Sequence, residues 1–89
     1  MNLPAAGRES LRIALTDVPD ESVVDVSFDE GATWHPTDGT GAERRILVAG
    51  PNADPTGATV IPERVNPVVR ITDDPEVVIR RTGVSIRVV

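Results

Sequence analysis

The 89-residue chain contains no cysteine, no lysine and no tyrosine, and Phe28 and Trp34 are its only aromatic residues. Without cysteine no disulfide can staple the fold, and no thiolate can hold a metal. Aromatic rings normally supply much of a core's buried area, so stability must come from aliphatic packing or from neighbours that cover more surface. A chain this short makes one domain and buries roughly two-thirds of the surface that it exposes when unfolded. The single histidine, His35, has few possible catalytic companions, so no enzymatic activity, cofactor, small-molecule substrate or bound metal is expected. A net charge of −5 argues against a nucleic-acid partner, because neutralising phosphates needs a basic surface. No apolar run is long enough to span a bilayer, and residues 1–7 lack the basic leader and apolar segment of a secretory signal. Synthesis in a cytoplasm and no membrane contact are the expectations.

What is present is a sequence dominated by β-branched residues. Valine and isoleucine outnumber leucine, and prolines recur from Pro4 to Pro75, which leaves little room for a long helix. Apolar and polar residues alternate. Leu11, Ile13 and Leu15 share one face, as do Val24, Val26 and Phe28; so do Val69 and Ile71, Val77 and Ile79, and Val84, Ile86 and Val88. Residues 45–49 and 58–61 are further strands on the same reading. Turn-forming clusters at residues 17–20, 29–31, 38–39, 51–57 and 73–75 separate these runs. About seven short strands so punctuated predict an all-β fold, a small immunoglobulin-like β-sandwich, with a small β-barrel as the alternative. Residues 1–9 read as an extended N-terminal arm and residues 10–89 as the sandwich domain. Residues 36–43 and 50–57 read as long mobile loops. The arm carries Leu3 and Pro4, is weakly apolar and suits a clasp on a neighbour. Its removal (residues 1–8) is expected to leave the domain folded but unable to assemble.

The sharpest local motif is Ser27, Asp29, Gly31, Thr33 and Trp34, a full match to the Asp-box pattern S-x-D-x-G-x-T-W. Its logic is that of a hairpin. Asp29 accepts bonds from turn amides, Gly31 takes a positive φ, and Trp34 covers the turn with a large ring. In sialidase-like propellers the box repeats once per blade, away from the catalytic centre. Here it occurs once in a chain too short for a propeller, which favours a structural hairpin over a ligand contact. Ser27, His35 and a carboxylate could form a triad on paper, but no nucleophile-elbow motif accompanies them. Asp73 and Asp74 precede Pro75 in a turn. A calcium site would need about six to eight oxygens, more than this spacing provides. The acidic residues Asp17, Asp20, Glu21 and Asp25 read as a solvated edge, or as partners for arginines of a neighbouring copy. Arg80 and Arg81 either blunt a strand edge or reach Asp73 and Asp74 across an interface.

Two segments resemble small β-rich virion proteins of tailed bacteriophages of actinobacteria. One is residues 24–36, VDVSFDEGATWHP. The other is residues 69–83, which resemble an R-x-T-D-x-P-E-V-x-x-R-x-x-G stretch near the end of those chains. The resemblance implies a non-enzymatic structural component of capsid, neck or tail. Such a component is made in the bacterial host cytoplasm, is carried in the virion and contacts other virion proteins and copies of itself. It implies no catalytic residue. The alternative from a different class is a carbohydrate- or cell-surface-binding module, for which Trp34 is the one aromatic platform.

Overall fold

The computed structural model describes residues 1–19, 21–73 and 76–89. Asp20, Asp74 and Pro75, and with them part of the acidic edge and of the expected interface, lie outside the described residues. The fold is all-β, with no helix among the described residues. None is therefore long and apolar enough to cross a membrane.

Two sheets face each other. In the first, β2 (Arg8–Ala14) pairs antiparallel with β6 (Glu43–Ala49), which pairs on its other side with β5 (Asp38–Thr40) and, in parallel, with the short β7 (Thr59–Val60). In the second, β4 (His35–Pro36), β3 (Val23–Ser27), β8 (Val68–Asp73) and β9 (Glu76–Arg81) lie side by side in that order, all antiparallel. The order β5-β6-β2 opposite β4-β3-β8-β9 is the D-E-B and C′-C-F-G arrangement of an immunoglobulin sandwich. The core fills the space between the sheets. Leu11 and Ile13 of β2 and Ile46 and Val48 of β6 meet Val24 and Val26 of β3 and Val69 and Ile71 of β8. Each such aliphatic side chain, fully buried, contributes about 1.5–3 kcal/mol. This period-two burial is what the alternating pattern requires.

The N-terminal segment departs from the expectation of a free arm. Asn2–Leu3 forms β1, which pairs in parallel with β10 (Arg87–Val88), and Leu3 is fully buried in the core cluster. Ala5 donates its N–H to the Val89 carbonyl and Gly50 donates to Gly7, so residues 1–9 are stitched into the domain. The physical reason is the thin core. One more leucine is worth enclosing, and the C-terminal strand offers an edge to hold it. Leu3 is thus unavailable to a neighbour, while Pro4 is exposed.

Residues 36–43 also depart from the loop expected there. They contain β5, because Asp38, Gly39 and Thr40 align with Arg45, Arg44 and Glu43 through a tight turn at Gly41. Residues 50–57 contain no strand but are anchored by Asn52 N–H to the Ala5 carbonyl.

Candidate functional site

The Asp box closes the β3–β4 hairpin, in which Val26 faces His35 and Asp25 faces Pro36. Ser27, fully buried, donates its hydroxyl to Asp29 Oδ1 at 2.6 Å and accepts the N–H groups of Gly31 at 2.8 Å and Asp29 at 3.3 Å. Asp29 Oδ1 also accepts the Thr33 N–H at 2.8 Å. The Ser27 hydroxyl, then the Thr33 amide and hydroxyl, hold the Asp29 carboxyl down at about 2. Glu30 and Gly31 both take positive φ, 57° and 90°, which turns the chain back over the sheet. The Ser27 hydroxyl and Asp29 Oδ1 are both spent on the turn itself.

The turn lies on the outer face of the second sheet. Directly paired residues of adjacent strands share a face. Asp25, Arg70 and Ile79 therefore form one outer row, and Val23, Thr72 and Val77 the next. Trp34 reaches this face, where the Arg70 guanidinium stacks 4.6 Å from its ring centroid and bonds Asp25 at 3.0 Å. One side of the ring is thus occupied by Arg70 and is not open as a platform for a sugar. Glu30 forms a two-pronged pair with Arg81, at 3.0 and 3.3 Å, tying the turn to β9. This pairing lowers the Glu30 carboxyl and raises the Arg81 guanidinium, through the hydrogen bonds first and the opposite charge second. The nearby concavities are shallow grooves, one between Glu30, Arg81, Pro67 and Val84 and another between Trp34, Val68 and Ile79.

His35 shares the inner face with Val26, its ring 6.1 Å from that of Phe28, whereas Ser27 points to the outer face. The paper triad is not brought together. Among the described residues no three His, Asp or Glu side chains converge as a metal site would need.

The most exposed apolar strand among the described residues is β9. It is the edge of its sheet, and all six residues are exposed. Val77, Val78 and Ile79 keep 56%, 40% and 62% of their surface in solvent. Exposed apolar strands at sheet edges offer unpaired backbone groups and apolar side chains together, and proteins normally blunt them. Val23, also exposed, extends the patch on the outer face across Thr72. The arginines expected at an interface lie at the end of this strand. Arg81 is engaged by Glu30, and Arg80 donates to the Thr16 carbonyl at 3.3 Å. Asp73 is exposed at the other end, opposite Glu76. The exposure of Val77 to Ile79 could not be read from the alternation, which marks two faces but does not say whether either is covered. The absence of proline and of any charged residue between Val77 and Ile79 was the available signal.

No protein-family model, curated protein or solved structure matches this chain.

Proposed function

We propose that the chain is a non-enzymatic structural protein of a tailed-phage virion, a capsid, neck or tail component that works through contacts with other virion proteins and with copies of itself. The observation that carries the reading is the open β9 edge, whose centre is aliphatic on both faces. A strand left in this state gains backbone bonds and apolar burial when a partner strand or surface is laid against it. The resemblance to phage proteins supports the particle in which this occurs. Its two segments fall on the β3–β4 and β8–β9 hairpins, so both belong to the sheet that ends in β9. The Ser27 hydroxyl and Asp29 Oδ1 of the Asp box hold the turn of one of these hairpins.

The test is mass spectrometry of gradient-purified virions from lysates that contain the chain. A fixed ratio of its peptides to the major capsid protein across preparations is the expected result. A chain that is abundant in the lysate and absent from the particles overturns the reading.

A further inference from the structure

We propose that the β9 edges of two copies of this chain pair antiparallel about a two-fold axis at Val78, joining two four-stranded sheets into one continuous sheet. The inference rests on the reading of β9 as a contact edge and names its partner.

The argument begins with symmetry. Two identical edges that pair antiparallel in one sheet are related by a two-fold axis perpendicular to it, so inner faces continue into inner faces. Paired residues must then share a face. In β9, Glu76, Val78 and Arg80 belong to the inner face with Asp73, Ile71 and Val69, and Val77, Ile79 and Arg81 to the outer face with Thr72, Arg70 and Val68. Only registers that pair residues of the same set are allowed. Centring on Val78 puts Glu76 opposite Arg80 of the second copy, Val77 opposite its Ile79, and Val78 opposite itself. Each charge meets its opposite and each aliphatic side chain meets an aliphatic one. Centring on Ile79 instead sets Val78 against Arg80 and Val77 against Arg81, and centring on Val77 sets Glu76 against Val78. The sequence of the edge is self-complementary in one register.

A second observation points the same way. Within the single chain Glu76 lies directly opposite Asp73, a like-charge pair that costs stability. Arriving from the free side, Arg80 of the second copy supplies the missing counter-charge. Arg80 is exposed and uses one nitrogen on the Thr16 carbonyl, which leaves the remainder of its fork for Glu76. Arg81, by contrast, is already held by Glu30, which fits its place outside the paired set.

The experiment is light scattering and sedimentation of the purified chain over a concentration series, with charge-swap variants at exposed positions and circular dichroism to establish that each is folded. The wild type is expected to form a concentration-dependent dimer. Glu76→Arg alone, or Arg80→Glu alone, places like charges opposite each other at both ends of the ladder and weakens the dimer by roughly tenfold or more. The double variant Glu76→Arg/Arg80→Glu reverses both pairs and restores it. A wild type that stays monomeric throughout the series overturns the proposal, and so does a double variant as weak as the singles. The two readings fail separately. A dimer whose chain is absent from virions leaves this pairing standing and removes the virion. A monomer that is incorporated normally despite Glu76→Arg removes the pairing and leaves the virion.

Discussion

The guanidinium of Arg70 lies 4.6 Å from the centroid of the Trp34 ring. The same side chain holds Asp25, which is mostly buried, at 3.0 Å, so one arginine joins β8 to both arms of the β3–β4 hairpin. A double-mutant cycle with Arg70→Met and Trp34→Leu is expected to show a coupling of about 0.5–1 kcal/mol in urea unfolding. Arg70→Ala costs more than Arg70→Met in the same assay, because the arginine stem also packs on the ring.

Acid sensitivity follows from the Asp box. The Asp29 carboxyl sits at about 2 in the folded chain against an ordinary value of 3.8. A depressed folded value means that the unfolded chain takes up the proton first. The contribution of Asp29 is therefore complete above about pH 4 and is lost as pH falls through about 2. Glu30, Glu43 and Asp54, all lowered by their partners, change in the same direction. Asp29→Asn keeps an acceptor for the Thr33 amide and removes the titration. Its urea midpoint, compared with that of the wild type, should converge as pH is lowered across this window.

The N-terminal segment is part of the core, and its loss is expected to unfold the domain. Leu3→Ala should cost about 2–5 kcal/mol, the range for a fully buried leucine. Gly50→Ala tests the same contact from the other side. Its new methyl would run into the backbone carbonyl oxygens of Pro4 and Ala5, which cannot withdraw without dragging Leu3. Thermal melts of both variants should fall together, whereas Pro4→Ala, at an exposed position, should change little.

Arg44 is buried on the inner face of β6, opposite Ile13. Its Nε donates to the Gly41 carbonyl at 2.9 Å, but its Nη2 has no hydrogen-bond partner among the described residues. Methionine keeps the unbranched stem and removes the charge. Arg44→Met is therefore expected to raise stability by about 1 kcal/mol, and Arg44→Ala to lower it by about 1–2 kcal/mol through the space it opens. Denaturant midpoints of the two variants give the comparison.

Strands whose alternation is strict and whose inner face is covered were legible in the sequence. Leu11 with Ile13, Val24 with Val26, and Val69 with Ile71 lie in the core on the faces that period two assigns. The β9 residues show the same alternation yet stay exposed, because covering depends on which strand ends a sheet and what lies over it, and that order is not local information. Leu3 failed for a related reason. It is a lone apolar residue beside Pro4, without periodicity, and its burial depends on β10 at the far end of the chain. The Asp box could be read because its bonds join residues only two to four apart. Its neighbours Arg70 and Arg81 come from β8 and β9 and carried no such signal.

The parallel pairing of β1 with β10 has a mechanical consequence. Met1 donates its amino group to Ser85, Arg87 donates to Met1, Val89 to Leu3, and Ala5 to Val89. Tension applied through the two ends would draw these parallel strands in opposite senses along their length. The bonds are then loaded in shear and must give way together, instead of peeling one after another. Rupture under load is governed by how fast the fold opens rather than by its equilibrium stability, and this clasp sits where that opening would begin.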